Sequence, residues 1–398
     1  MRNFKETALG IFSAAILSSA SSFADGFSAQ ILASFQDPKM EWWFNLPADS
    51  APNVVQTDRV FFHQDFSLFS FFEKAAVKDG NFAVKYSVYS IAPDGRRKKI
   101  SENVSVKGKK PSQNIIVAST EFVSVCFDKN SPEGLYEFEI EANDEISGAK
   151  STYKTKVRLA DWTSPMPMLD KKIVDETILG FYNNPSPEKL YSAFFSKELN
   201  LEQKGAPNNL NYIYLGFFQA AFKRNSFLIP IIRDAFRNAS PLDRAKTIFL
   251  FAILDEARVD VNLLTPKEKE YQEAMRNAQI PDPYKEWDNV VGAVQIDMLW
   301  GEFFADGTYR PVRRIMDLLS YVEEAKFTHK SIAENKKPEK KEDWKKLMLG
   351  AYHTVALQSL LANAQRFPLV KKYCLWAIEN RNLPDSTYQL LGDVADKK

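Results

Sequence analysis

Between residues 60 and 160, apolar and polar residues alternate with the period of an extended chain. In "FAVKYSVYSI", Phe82, Val84, Tyr86 and Val88 fall on one side of a strand, and Pro93-Asp94-Gly95 then turns the chain. "NIIVAST", "EFVSVCF" and "LYEFEIEA" repeat the β-branched and aromatic enrichment, with turn clusters such as "SPEG" and "DEISG" between runs. Short strands at this spacing, with no helical period between them, predict an antiparallel β-sandwich over residues 60–160.

Residues 161–169, containing "DWTSPMP", break the alternation and read as a linker. From Asp170 to the C-terminus (170–398) the period becomes helical. Ile296, Leu299, Trp300, Phe303 and Phe304 stand at i, i+3, i+4, i+7 and i+8, one face of a helix. Asp306-Gly307 supplies a stop, Thr308 a cap, and Pro311 sits in the next first turn. Val312, Ile315, Met316 and Leu319 form the answering stripe, so the segment reads as an αα-hairpin. The pattern recurs in Tyr214, Phe217, Phe218, Ala221 and Phe222, answered across "KRNS" by Leu228, Ile231, Ile232, Ala235 and Phe236. It recurs again in Leu357, Leu360, Leu361 and Ala364, answered across "QRFP" by Val370, Tyr373, Cys374, Ala377 and Ile378. Ser186-Pro187, Ser240-Pro241 and Thr265-Pro266 read as helix starts, and about ten helices are predicted in all. The spacing is uneven, which makes this a degenerate repeat. Gly301 in mid-helix costs about 1 kcal/mol against Ala and allows a neighbouring helix to approach closely.

Two resemblances follow from these residues. "VKYSVYSIAPDGR" with "SPEGLYEFEIEANDEISGAKSTYKTKV" resembles an immunoglobulin-like or fibronectin-like sandwich of bacterial exported proteins, without the Cys–Trp–Cys pattern of antibody domains. "LWGEFFADGTYRPVRRIMDLL" resembles one tetratricopeptide unit, although the full consensus is not met and the period is not constant. The fold class implied is multidomain, mainly β then all-α: an antiparallel immunoglobulin-like β-sandwich followed by an irregular, tetratricopeptide-like domain of helical hairpins.

The N-terminus adds a location. Arg2 and Lys5 precede the apolar "ALGIFSAAILSSA", and Ser22 and Ala24 supply the small residues of a cleavage site. Residues 1–24 therefore read as a signal peptide, with export to the periplasm or the extracellular space and a mature chain beginning at Asp25. The apolar run is too short to span a bilayer, and no transmembrane anchor is expected in the mature chain. Residues 25–59 form an N-terminal arm. The whole chain carries 52 basic and 51 acidic residues; removal of Arg2, Lys5 and Glu6 leaves 50 of each. A balance of this kind offers no basic footprint, and no nucleic-acid partner is expected. Cys126 and Cys374 are far apart in apolar company and are expected as separate buried thiols.

Candidate chemistry is sparse. Asp297 and Glu302 are five residues apart, about 140° around a helix, poorly placed to flank one bond. Glu302 and Asp306 share a face that ends in an exposed turn and are expected to form a solvated acidic edge. His63, His329 and His353 lack metal-ligand spacing. His63 and Asp65 are expected as an exposed pair on one strand face, and His353 as a core-edge histidine. Gly-x-Ser-x-Gly, Walker, Gly-x-Gly-x-x-Gly and His-Glu-x-x-His motifs are absent, so no catalytic residue, cofactor or metal is assigned. Trp42, Trp43 and Phe44 in "EWWFNLP" are three successive aromatics that one regular face cannot bury. They are candidate partner-binding residues, with packing as an arm across the sandwich as the other reading. "NKKPEKKEDWKK" mixes acids with its bases and reads as a solvated loop and helix start. The function expected is that of an exported, non-catalytic interaction or scaffold protein of the bacterial envelope, whose hairpins present a surface to a protein or peptide partner. The alternative is an envelope enzyme acting on glycan or peptide at the domain junction.

Overall fold

The computed structural model describes residues 11–12, 26–36, 54–109, 116–204, 206, 210–254, 259–278, 280–285, 287, 293–335 and 337–396. The chain is a β region followed by an α-helical region. One compact unit runs to Ser164 and includes Asn183–Ser186; the other comprises Pro165–Tyr182 and Pro187–Lys398.

The first unit contains β1 (Ile11–Phe12), β2 (Ser28–Ser34), β3 (Arg59–Phe61), β4 (Asp65–Glu73), β5 (Asn81–Ile91), β6 (Arg97–Lys109), β7 (Ile116–Ala118), β8 (Val123–Cys126), β9 (Gly134–Asp144) and β10 (Lys150–Ala160). They form two five-stranded sheets. One runs β1-β7-β4-β2 with β8 also on β4, and the other runs β3-β10-β9-β5-β6. Every pairing is antiparallel except β3 on β10, so the second sheet is mixed. The two residues of β1 lie in the segment read as an export signal; cleavage after Ala24 would remove this neighbour of β7.

Both sheets feed one core. Phe82, Val84, Tyr86 and Val88 of β5 are buried in it beside Phe66, Leu68 and Phe72 of β4 and Phe138 and Ile140 of β9. Phe66 meets Phe138 edge-on at 5.7 Å, and Phe72 meets Tyr86 at 5.3 Å. Such aromatic pairs add to the area term by about 0.5–1.5 kcal/mol each. The polar positions of the second sheet form a charge lattice. Arg97 pairs with Glu139 and Glu141, and Lys154 reaches Glu137 and Glu139 at 3.2 and 3.1 Å. Exposed pairs of this type contribute little stability singly. The basic residues of β6, an edge strand, discourage edge-to-edge pairing.

Asp144 is fully buried at the β9–β10 turn. Its carboxylate accepts from the backbone N–H groups of Ala76 (2.8 Å) and Ile146 (3.0 Å) and from Ser147 Oγ (2.7 Å). Burial alone would push this carboxyl up, but the donors from Ala76, Ser147 and Ile146 outweigh it and hold it below its ordinary value. The turn is thereby tied to the chain leaving β4.

The second unit holds twelve α-helices among the described residues: α1 (Lys171–Leu179), α2 (Pro187–Phe194), α3 (Tyr212–Arg224), α4 (Leu228–Ala235), α5 (Pro241–Leu254), α6 (Pro266–Asn277), α7 (Val294–Asp306), α8 (Tyr309–Asp317), α9 (Val322–Ala333), α10 (Lys341–Arg366), α11 (Pro368–Asn380) and α12 (Asp385–Asp396). Their ends follow the local chemistry. Thr265 and Glu268 form a reciprocal capping box on α6. Gly307, at φ +67°, stops α7 in the left-handed conformation and returns its N–H to Phe303 O at 2.8 Å.

The main helix pairing differs from a chain of self-contained hairpins. The most extensive helix–helix interface joins α3 to α7, the first helices of two separate predicted hairpins. Two glycines make it possible. A Cβ on Gly301 would lie 2.6 Å from Phe217 N and closer still to Ile213 O, and one on Gly216 would lie 2.8 Å from Met298 Cα. Phe217 and Phe218 of α3 and Leu299, Trp300 and Phe303 of α7 are buried in this unit. Gly350 gives α10 a comparable approach to the α9 backbone at Glu324.

Candidate functional site

The acids of α7 are the first group with unusual surroundings. Glu302 Oε1 accepts from the Tyr284 hydroxyl at 2.7 Å. Arg310 of α8 stands 3.9 Å from the centre of the Tyr284 ring, and Arg314 stands 4.3 Å from that of Trp287. Arg314 also donates to Pro283 O at 3.3 Å and to Lys285 O, and Gln295 Nε2 donates to Asp282 O. Residues 282–285 and Trp287 are thus fastened along α7 and α8. The expected solvated acidic edge is corrected: Glu302 and Asp306 are half-buried, as is Asp297. Burial pushes the Asp297 carboxyl up to about 6 and the Glu302 carboxyl up to about 7. The Tyr284 hydroxyl is raised by burial and then by the neighbouring Glu302. Asp306 faces its own turn, accepting from Thr308 N and Oγ1 at 2.9 Å. A carboxyl that changes charge near neutrality can move a proton, but its partner here is a tyrosine that fastens a loop segment.

His353 is buried, with Nδ1 3.2 Å from Leu318 O; it meets a carbonyl there. Burial lowers its pKa. His63 does not share a strand face with Asp65. It occupies a left-handed turn at φ 62°, ahead of β4, and its N–H binds Phe127 O at 2.7 Å. Cys126 and Cys374 are free thiols. Cys374 is buried and its thiol is pushed up to about 12 by burial, whereas Cys126 is exposed, contrary to expectation. Trp42, Trp43 and Phe44 lie outside the described residues.

One buried cation escaped the sequence reading. Lys246 of α5 is 3% exposed and its Nζ donates to Ser196 O, just beyond the end of α2. Burial lowers its pKa to about 8. Its place at a helix C-terminus gives it a capping role. Nothing in "RAKTIF" marks it, because the apolar period runs on either side.

The surface of the helical unit is more distinctive. Met166, Leu169 and Ile173 are 83, 72 and 51% exposed within eight residues of sequence. Beside Ile173, a depression of about 510 Å³ is lined by Lys171, Lys172, Asp175, Glu176, Leu179 and Arg366. Its charges are partly neutralised internally: Asp175 binds Lys171 Nζ at 2.8 Å and the Tyr214 hydroxyl at 2.7 Å. Among the described residues no group of His, Cys, Asp and Glu is arranged to hold a metal, and no helix is long and apolar enough to cross a membrane.

No family model matches the chain. It is similar to the DNA mismatch repair protein MutL of Thermoanaerobacter sp. (strain X514) and of Thermoanaerobacter pseudethanolicus (strain ATCC 33223 / 39E), at 27% identity over 95 residues in each case. That stretch is 23% of this chain, and the chain spans only 16% of the length of those curated relatives. Among solved structures, a family 123 glycoside hydrolase from Clostridium perfringens gives a TM-score of 0.23 at 10% identity, over 35% of this chain and 28% of that one. The sporulation control protein Spo0M from Bacillus subtilis gives 0.18 at 9% identity, over 39% and 55%. Salmonella alpha-2-macroglobulin reacted with methylamine gives 0.16 at 10% identity, over 87% and 26%. Scores of this size transfer neither fold nor activity.

Proposed function

We propose that the protein is an exported, non-catalytic interaction or scaffold protein of the bacterial envelope. In this reading an immunoglobulin-like sandwich orients or tethers an irregular, tetratricopeptide-like set of helices, and the helices present their surface to a protein or peptide partner. One observation carries it. Of the nine large apolar side chains exposed among the described residues, eight belong to the helical unit and only Leu135 to the β unit. Met166, Leu169 and Ile173 concentrate this surface at the start of the helical unit. Covering apolar area yields roughly 25 cal/mol per Å², so a partner seated on these three side chains would gain several kcal/mol before the costs of association. Exposed apolar side chains in excess of scattered single residues are a mark of interaction sites.

Site-specific photocrosslinking tests the reading. A photoreactive residue at Leu169 or Ile173 is expected to capture one discrete partner in envelope fractions, and an added Met166→Asp substitution to abolish the capture. The same residue placed at Glu102, on the charged β6 edge, serves as control. Identical crosslink patterns at Leu169 and Glu102 would refute the assignment.

A further inference from the structure

The tip formed by the end of α9 and the start of α10 combines exposed apolar side chains with a local excess of positive charge. Ile332 is 69% exposed in the last turn of α9, and Trp344 is 51% exposed in the first turns of α10. They lie at the same end of the α9–α10 pair. Thr328 Oγ1 donates to Leu347 O at 3.1 Å, which sets those residues level across the pair. One helical turn nearer the tip, that register brings Ile332 level with the turn holding Trp344.

The charge around them is sorted by the helix. Lys341 precedes Trp344 by three residues and lies on its side of α10, with Lys340 at the N-cap just before it, whereas Glu342 points away and Asp343 is about 100° round. Residues 330–346 hold seven lysines against four acids, a net +3, in a chain that is otherwise balanced. One of those acids, Glu334, stands 4.0 Å from Lys330. An exposed tryptophan and isoleucine in a lysine-rich segment suit a surface that is apolar below and anionic above: the indole rests at headgroup depth while the ammonium groups meet phosphates.

We infer that the α9–α10 tip docks on an anionic lipid surface. This goes beyond the protein-partner reading, whose proposed docking surface is Met166, Leu169 and Ile173. Docking is peripheral: two side chains enter the interface, the helices stay outside it, and attachment weakens as salt screens the lysines.

Co-sedimentation of the full chain with vesicles tests this. One vesicle set is an equimolar mixture of phosphatidylglycerol and phosphatidylcholine, and the other is phosphatidylcholine alone. Partition onto the anionic vesicles is expected to exceed that onto the neutral ones by at least about tenfold and to fall about tenfold near 0.5 M salt. Ile332→Ser with Trp344→Ser, at exposed positions that leave the helical circular dichroism unchanged, is expected to lower partition about tenfold. Lys340→Glu with Lys341→Glu is expected to do the same through charge alone. Equal partition onto both vesicle types, or unchanged partition in both double variants, overturns the inference. A concentration-dependent dimer that the Ile332/Trp344 variant loses, with no vesicle binding by the parent chain, would assign the tip to a second copy and overturn it equally.

Discussion

Gly301→Ala sets two effects of opposite sign against each other at one atom. On an isolated helix the added methyl stabilises by about 1 kcal/mol, because alanine loses less backbone freedom. In this protein the methyl carbon would sit 2.6 Å from Phe217 N and 3.1 Å from Gly216 C, and nearer still to Ile213 O. All three are backbone atoms of α3, so no side-chain rotation clears the space. Ordinary contact requires α3 and α7 to separate by roughly 1 Å, a gap that forfeits a large part of each dispersion contact along the interface. Overpacking of a tight core costs about 1–3 kcal/mol, and the buried aromatic residues on both helices place this site at the upper end. The expected net effect is a destabilisation of about 1–2 kcal/mol after the propensity gain is subtracted. Urea unfolding followed by the helical circular dichroism signal reads it as a lower midpoint, evaluated for the helical transition alone because a two-unit chain need not unfold in one step. Gly216→Ala in the same background should add less than its single effect, since the helices are already apart. A Gly301→Ala protein as stable as the parent, or more stable, would refute the close-approach argument.

Glu302→Gln isolates the buried carboxyl while keeping an acceptor for Tyr284. The folded-state pKa of Glu302 is raised from 4.5 to about 7, so its contribution to stability is complete below pH 4.5 and is lost as pH rises through 7. Asp297 acts in the same direction between 3.8 and about 6, and His353, whose pKa is lowered, acts oppositely. The difference between parent and variant removes those terms: the parent should lose roughly 1–3 kcal/mol relative to Glu302→Gln between pH 4.5 and pH 8. Parallel stability curves would show that Glu302 keeps an ordinary pKa. Asp144→Ala leaves the N–H groups of Ala76 and Ile146 without their buried acceptor and should cost about 2–4 kcal/mol. Thermal unfolding of the β signal with less than a degree of change would count against that pinning role.

What the sequence made legible is what one face of one element reports. The alternation through Phe82, Val84, Tyr86 and Val88 and the helical stripe through Leu299, Trp300 and Phe303 each describe a buried face, and the structure buries those residues. Even the need for close approach at Gly301 was visible, because a mid-helix glycine carries a cost that something must offset. Its partner was not visible. Which helix meets α7 depends on a second glycine some eighty residues earlier, and no period links Gly216 to Gly301. Strand β4 hides its structure for a related reason. "DFSLFSFFE" is buried on both faces, so Phe69 and Phe71 interrupt the alternation that Phe66, Leu68 and Phe72 would show alone. The acids of α7 fail most instructively. Periodicity places Glu302 off the apolar stripe and therefore in water, which holds only where nothing else covers that side. Tyr284 and Trp287 come from an irregular stretch without a period of its own, and it is this stretch, held by Arg310 and Arg314, that partly shields Glu302 from solvent. Helical patterning locates the face turned to the core, but the environment of the other face is decided by loops. A carboxyl whose protonation responds near neutral pH therefore arises here from a covering segment and not from any motif.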